Sequence, residues 1–194
     1  MRNTDISDNE LITEFLKGNE SGLEKLITRH QRKIFTSILL LVKDKELAED
    51  IFQETFIKVI NTLRSGNYHE EGKFLPWVIR IGHNLVIDHF RKQKRMPMVR
   101  DTDDFSVMES LKLTDENVED KLITTQIHSE VRQLIEYLPL DQREVVIMRH
   151  YADMSFKEIA ETTNVSINTS LGRMRYALIN LRKLISEKQL VLVK

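Results

Sequence analysis

The sequence predicts an all-α protein of two small helical domains joined by an acidic linker, with a helix-turn-helix in the C-terminal domain. Apolar residues recur at helical spacing along most of the chain, and glycine and proline are scarce, at 6 and 3 of 194 residues. The helical pattern stops at residues 96–117, where acids, Ser, Thr and Pro97 mix without a period. The predicted domains are therefore residues 1–95 and 118–194, with a linker at 96–117.

Four helices are predicted in the N-terminal domain. Ser7 with Glu10 forms a capping box, which marks the start of the first helix. Asp44 can cap the third helix, whose apolar residues form a stripe of helical period. A polar loop at residues 64–72 separates this helix from the fourth. The predicted helices begin near Ser7, Glu20, Asp44 and Phe74, and the fourth ends near Arg95.

Four more helices are predicted after the linker. The first covers residues 118–137 and ends before Pro139, because proline disfavours helix at the residue preceding it. Asp141 with Glu144 predicts the start of the next helix. The last two are expected to begin after Ser155 and near residue 167, and the final helix to end near residue 186.

Composition limits the possible function classes. The chain has no cysteine, which excludes disulfides and thiolate metal sites. The N-terminus is acidic and has no apolar run typical of a signal peptide, and no stretch approaches the roughly 20 apolar residues of a membrane span. We therefore expect a cytoplasmic protein without membrane insertion.

Charge is distributed in blocks that the net value of −1 conceals. Residues 73–100 hold seven Lys or Arg and one acid, residues 101–120 hold eight acids and one Lys, and residues 166–183 hold four Lys or Arg and no acid. Two basic blocks on either side of an acidic one favour contact with nucleic acid at two places.

The segment 155–183 has the pattern of a helix-turn-helix. Asn164 stands at the expected turn, where it tolerates a left-handed backbone. In the second helix we expect Leu171, Met174, Leu178 and Leu181 to be buried. The opposite face would carry short polar groups and Arg, which are suited to base edges and phosphates in the major groove. The sequence therefore predicts binding of double-stranded DNA.

The second basic block, residues 74–95, predicts an amphipathic helix after a polar loop. Trp77, Val78, Ile81 and Leu85, with Ile87 or Phe90, are expected in its core stripe, and Trp77 is better explained as a core residue than as a binding residue. The residues outside this stripe, His83 among them, are expected to form a basic face. This face and the loop at Asn67 and Tyr68 are suited to bind a single strand or a melted strand of nucleic acid.

Two other function classes remain open at this point. A polymerase-independent repressor or activator would use the same helix-turn-helix and dimerise through residues 1–95. A helical metal enzyme would use His83, Asp88 and His89. The metal site is disfavoured because residues 83 and 89 lie roughly 240° apart around a helix. We expect no catalytic residue, no metal and no cofactor.

Four stretches in this order resemble the extracytoplasmic-function sigma factors of the sigma-70 family, over about residues 11–184. They read DKELAEDIFQETFIKVI, FLPWVIRIGHNLVIDHFRKQKR, LPLDQREVVIMRHYADMSFKEIA and VSINTSLGRMRYALINLRK. The resemblance implies a non-enzymatic, alternative sigma factor. Such a protein binds core RNA polymerase and directs transcription initiation at promoters with particular minus-ten and minus-thirty-five elements. It also implies an anti-sigma factor as a partner.

The resemblance implies a role for individual residues. The surface that binds the beta-prime coiled coil of the polymerase would include Asp50, Gln53, Glu54 and Phe56 on the third helix. The beta flap of the polymerase would be a further contact. Recognition and melting of the minus-ten element would use Asn67, Tyr68, Lys73, Arg80, Asn84, Arg91, Lys92, Lys94 and Arg95. Recognition of the minus-thirty-five element would use Arg149, Asn168, Thr169, Ser170, Arg173, Arg175 and Tyr176.

The recognition helix departs from the family pattern at its start. Asn168-Thr169-Ser170 replaces the usual Gly-Thr-Val, Leu171 replaces a commonly basic residue, and Gly172 replaces a commonly hydroxylated one. The base preference of better-known members therefore does not transfer. Gly172 costs roughly 1 kcal/mol of helix stability relative to Ala, and a close approach of DNA to the backbone is one reason for a glycine here.

Overall fold

The structure is a computed structural model that describes residues 6–69, 73–95 and 133–187, and over these residues it contains helices and no strand. The all-α prediction is confirmed. The predicted linker, residues 96–117, and most of the predicted helix at 118–137 lie outside the described residues. The helices are α1 (Asp8–Leu16), α2 (Glu20–Val42), α3 (Lys45–Arg64), α4 (Phe74–Arg95), α5 (residues 133–136), α6 (Leu140–Tyr151), α7 (Phe156–Thr163) and α8 (Ile167–Glu187).

The chain divides into two compact units. The first comprises Met1–Ile38 and Glu49–Pro97, and the second comprises Leu39–Ala48 and Met98–Lys194. The junction of α2 and α3 is therefore grouped with the C-terminal half of the chain, whereas the sequence had suggested a single boundary after residue 95. The division into domains at 1–95 and 118–194 stays a prediction.

Side-chain caps fix the starts of three helices as predicted. The Ser7 Oγ accepts a hydrogen bond from the Glu10 N–H at 3.3 Å, and the Glu10 carboxylate accepts one from the Ser7 N–H at 2.8 Å. The bond from the Ser7 backbone is the main reason that the pKa of Glu10 is lowered. Ser155 and Glu158 repeat the box before α7, and Asp44 accepts from the Leu47 N–H at 3.0 Å. These bonds satisfy N–H groups that a helix start leaves without a partner.

The core of the first unit depends on two glycines at close helix crossings. A Cβ on Gly22 of α2 would lie 2.4 Å from the Leu11 carbonyl oxygen of α1. A Cβ on Gly82 of α4 would lie 3.3 Å from side-chain atoms of Ile38 and Thr55. The absence of a side chain at these positions lets the helices pack closely.

The buried stripe of α4 differs from the prediction. Val78 and Leu85 are buried as expected, but Trp77, Ile81, Ile87 and Phe90 are only half-buried. The expectation of His83 on the basic face is wrong, because His83 is buried. Gly82 is buried within the stripe, and its lack of a side chain lets α4 lie close to Ile38 and Thr55. The buried residues of α4 are Phe74, Leu75, Val78, Ile79, Gly82, His83, Leu85 and Val86.

In the second unit, α6 is the central helix. Every residue from Arg143 to Met148 is buried, and α7 and α8 pack against this helix. The helix begins at Leu140 after Pro139, without a side-chain cap, so the capping box expected from Asp141 and Glu144 is wrong. Pro139 supplies the start instead, because its carbonyl accepts from the Arg143 N–H at 2.9 Å.

Candidate nucleic-acid interface

The turn between α7 and α8 has the geometry that a helix-turn-helix requires. Asn164 adopts a left-handed backbone with φ 54° and ψ 48°, as predicted, and the Val165 N–H donates to the Ala160 carbonyl at 2.9 Å. Ser166 then caps α8, because its Oγ accepts from the Thr169 N–H at 3.1 Å. The sequence reasoning missed Ser166, although a serine directly before the first helical residue is a common N-cap.

Small residues, not leucines, form the buried side of α8. Ser170 and Ala177 are fully buried at 0% exposure. Leu171 and Leu178 are 44% and 47% exposed, so the prediction that they are buried is wrong. Met174 and Leu181 are half-buried. Because Ser170 and Ala177 are small, the backbone of α8 can lie close to its neighbours, and the two leucines are left outside.

Two polar contacts join α8 to the start of α6. The Arg173 Nε lies 3.5 Å from the Asp141 Oδ2, and the Arg173 side chain is only 23% exposed. Two turns further along, Asn180 donates to the Gln142 Oε1 at 2.8 Å. Arg173 therefore lies on the inward side of the recognition helix, and its guanidinium is engaged by a carboxylate of the same unit.

Four of the seven residues predicted to contact the upstream DNA element lie exposed on the first turns of α8. They are Asn168, Thr169, Arg175 and Tyr176. Ser170 and Arg173 face inward. Arg149 braces the turn between α6 and α7, because its Nη1 donates to the Met154 carbonyl at 2.8 Å and its guanidinium lies 5.6 Å above the Phe156 ring.

The basic surface of the first unit lies along α4. Arg80 and Asn84 are exposed one turn apart on the same side of the helix, and Lys73 is exposed just before it. Four further cations are exposed together at the C-terminal end of α4, namely Arg91, Lys92, Lys94 and Arg95. Positive charge at a helix C-terminus complements the helix dipole, which stabilises this arrangement before any ligand binds.

The loop before α4 is held by aromatic rings that pack at tilted and edge-to-face angles. The Tyr68 ring lies 4.4 Å from the Trp77 ring, and both contact Phe74, at 6.4 and 5.9 Å. Asn67 is exposed and its Nδ2 donates to the Ser65 Oγ at 3.0 Å. The aromatic side chain of Tyr68 therefore packs against α4, and Asn67 is an exposed polar group of the loop.

A third surface lies on α3. Asp50, Gln53 and Glu54 are exposed on one side of the helix. Phe56 is 7% exposed and its ring packs 4.9 Å from the Phe52 ring, so it belongs to the core. Ile57, which the sequence reasoning missed, is 58% exposed and shares the face of the three polar residues. Its spacing of seven from Asp50 was the available signal.

Comparison of the chain with known families identifies both halves. A family model described as "Sigma-70 region 2" matches residues 26–96, and one described as "Sigma-70, region 4" matches residues 128–173. The chain belongs to the sigma-70 family, in its extracytoplasmic-function branch. The resemblance stated from the sequence is thereby confirmed. The region 2 match contains the α4 and α3 surfaces, and the region 4 match contains the helix-turn-helix up to Arg173.

Curated sigma factors align with nearly the whole chain. It is 28% identical to the RNA polymerase sigma-H factor of Pseudomonas aeruginosa over 176 residues, which are 88% of this chain and 90% of that protein. It is 26% identical to the extracytoplasmic-function sigma factor SigW of Bacillus subtilis, over 89% and 93% of the two chains. The chain is therefore an alternative sigma factor that directs promoter-specific transcription.

Solved structures of sigma factors share the fold. CnrH, solved in complex with the cytosolic domain of CnrY, matches with a TM-score of 0.63 at 20% identity, over 94% of this chain and 99% of that one. The sigma factor RpoE of Bartonella quintana, solved with the anti-sigma factor NepR, matches with a TM-score of 0.62 at 16% identity, over 84% and 96% of the two chains.

Sigma factors regulate transcription by binding DNA, and the family is not one of enzymes. Among the residues described here, no three His, Asp or Glu side chains are grouped so that they could hold a metal ion. Within the same ranges, none of the helices is long and apolar enough to cross a bilayer.

Proposed function

We propose that this sigma factor reads its promoters with two separate surfaces, the α8 surface at the minus-thirty-five element and the α4 surface at the minus-ten element. The observation that carries the proposal is the exposure of cations on both helices. The four cations at the end of α4 are exposed, and so are Arg175, Arg182 and Lys183 of α8. Phosphates are the partners that such surfaces attract, and base edges are read by side chains of the same helix.

At the upstream element, the exposed first turns of α8 enter the major groove. Asn168 and Arg175 lie seven residues apart, so they occupy one side of the helix. Asn pairs in two places with adenine, and Arg pairs with guanine or a phosphate. Arg173 supports this helix through its contact with Asp141 of α6, and Arg149 braces the turn between α6 and α7 through its bond to Met154.

At the downstream element, α4 binds the melted strand. Arg80, Asn84 and Asn67 offer donors beside the loop, and the cations from Arg91 to Arg95 contact phosphates. The half-buried pair Tyr68 and Trp77 holds the loop in place for this contact. A groove of positive charge beside polar and aromatic groups suits single-stranded DNA.

The α3 surface binds core RNA polymerase, through its beta-prime coiled coil, while region 4 contacts the beta flap. Ile57 supplies the apolar centre that a protein interface needs, and Asp50, Gln53 and Glu54 surround it with polar groups. The polymerase supplies the catalysis, and the chain has no enzymatic activity of its own. An anti-sigma factor holds it inactive in the cytoplasm. This part of the proposal is supported by the structure of similar fold in which RpoE of Bartonella quintana is in complex with the anti-sigma factor NepR.

Transcription with purified core polymerase tests the proposal. We expect promoter-specific run-off transcripts only when the chain is added, and weak binding of duplex DNA by the chain alone. Transcript starts mapped after overexpression supply the promoters for this assay. A repressor or activator that works without polymerase would instead bind a palindromic duplex at nanomolar concentration and yield no transcript with core enzyme. That outcome would contradict the proposal.

A further inference from the structure

A glycine lies at the centre of the exposed face of the recognition helix. Gly172 follows Asn168 by four residues and precedes Arg175 by three, so all three share one side of α8. A Cβ built on Gly172 would meet no atom within 4 Å beyond the local helix backbone. The neighbouring Leu171 is 44% exposed beside this gap. Together, Asn168, Leu171, Gly172 and Arg175 form a shallow recess, which we call the Gly172 notch.

No requirement inside the second unit explains the glycine. Its φ is not positive, unlike that of Gly18 or Gly66, so an alanine could adopt the same backbone. The space for a Cβ is open, so packing does not demand its absence, as it does at Gly22. Glycine nevertheless destabilises a helix interior relative to alanine. A close approach to the helix by an object outside the protein is a reason for a glycine that fits both observations.

The charge around the notch identifies that object as DNA. Residues 166–183 carry four Lys or Arg and no acid. Asn168 and Arg175, on the walls of the notch, have the side chains that pair with base edges. Leu171 differs from them, since it has no polar atom with which to bond a base. In the major groove, the thymine C5-methyl group is the apolar feature that distinguishes one base from the others.

We infer that Leu171 and the open surface of Gly172 receive the C5-methyl group of a thymine in the minus-thirty-five element. Leu171 supplies the apolar contact, and Gly172 lets the base edge approach without meeting a side chain. This pair is a specificity determinant that selects thymine at one position of the promoter. The inference rests on the proposed function of α8 as the upstream recognition helix.

Replacement of thymine by deoxyuridine tests this contact, because it removes the methyl group and keeps every hydrogen-bonding group of the base. Each thymine of the upstream element, on both strands, is replaced singly in a promoter obtained by transcript mapping. Binding of the complete holoenzyme is then measured. We expect one position at which deoxyuridine weakens binding about four-fold, the effect of withdrawing one methyl group from an apolar contact.

The Leu171→Ala variant assigns the contact to this residue. With it, the ratio between thymine and deoxyuridine at that position should fall to about one. Leu178→Ala is the matched control, since Leu178 is 47% exposed on the same helix, two turns away, and it should keep the four-fold ratio. The inference is overturned if Leu171→Ala keeps the ratio, if every thymine tolerates replacement, or if the element contains no thymine.

Gly172→Ala tests the notch independently of Leu171. The added methyl group should raise the melting temperature of the chain, because it meets nothing and improves helix propensity, and it should lower holoenzyme binding to the same promoter several-fold. Higher stability with unchanged binding would overturn the role of the notch. If transcription is promoter-specific but binding does not depend on any thymine methyl group, this inference alone is contradicted. If no promoter-specific transcript appears, the proposed function is contradicted as well.

Discussion

Arg173 illustrates how the environment of one residue decides between two roles. From the sequence, an arginine in the recognition helix is expected to read a base. In the structure its side chain is 23% exposed and lies 3.5 Å from the Asp141 carboxylate. A guanidinium held in this way orients α8 on α6, and the base-reading role then belongs to the outward residues Asn168 and Arg175. The two roles make different predictions.

We expect Arg173→Ala and Asp141→Ala to weaken use of the upstream element by similar factors, of about 1.4- to five-fold, since a partly exposed ion pair contributes about 0.2–1 kcal/mol. The double variant should be no worse than either single one, because both remove the same contact. Holoenzyme binding to promoters with intact and scrambled upstream elements measures this. A base-reading Arg173 would show the opposite pattern, in which Asp141→Ala is harmless and Arg173→Ala alone abolishes discrimination.

At the scale of helices, the sequence predicts where elements begin and end better than which way they face. The capping boxes at Ser7 and Ser155 and the left-handed Asn164 use bonds between residues a few positions apart, so the local sequence contains all of their determinants. The facing of α8 depends on its neighbours. The hydrophobic pattern predicts that Leu171 and Leu178 are buried. In the structure the smaller Ser170 and Ala177 are buried instead, because they allow close packing of the helices.

The same limit applies to the candidate surfaces. The exposed cations of α4 follow from sequence, because charged side chains are rarely buried without a partner. The burial of Phe56 and the exposure of Ile57 do not, since both are large and apolar and only the packing against Phe52 separates them. The exposed residues of the candidate surfaces were thus predictable where charge determines exposure. They were not predictable where the fit between apolar side chains determines it.

Gly22 and Gly172 give opposite predictions for one kind of substitution. Gly22→Ala should lower the melting temperature, because its Cβ would lie 2.4 Å from the Leu11 carbonyl oxygen and force α1 and α2 apart. Overpacking of this kind costs about 1–3 kcal/mol. Gly172→Ala should raise it, since about 1 kcal/mol of helix propensity is gained in open space. Thermal unfolding followed by circular dichroism gives the melting temperature of both variants. If both substitutions shift the melting temperature equally and in the same direction, the crossing of α1 and α2 is not tight.

At the scale of the whole chain, α4 and α8 each carry an excess of positive charge in a molecule with a net charge of −1. An acidic excess elsewhere balances these cations, so the long-range field of the molecule is weak. Attraction to DNA must then act at short range, where exposed Lys and Arg displace counterions from the phosphates. It follows that the position of the charge, not its total, should control promoter binding.

A pair of charge-matched variants tests this. Replacing Arg91, Lys92, Lys94 and Arg95 of α4 by Gln removes four positive charges. Replacing the exposed Lys17, which directly follows α1, and Lys25, Arg32 and Lys33 of α2 by Gln removes four as well. If the α4 cations contact phosphates, the first variant should flatten the dependence of log binding constant on log salt by about three to four, at roughly 0.7–0.9 for each contact. It should do so equally at all promoters, since phosphates carry no sequence information. The second variant should keep the original slope, because its four lost cations belong to no part of the proposed DNA-binding surfaces. Holoenzyme binding to two different promoters over a range of salt concentrations gives both slopes, and an equal loss in the two variants would mean that net charge, and not the α4 surface, attracts the DNA.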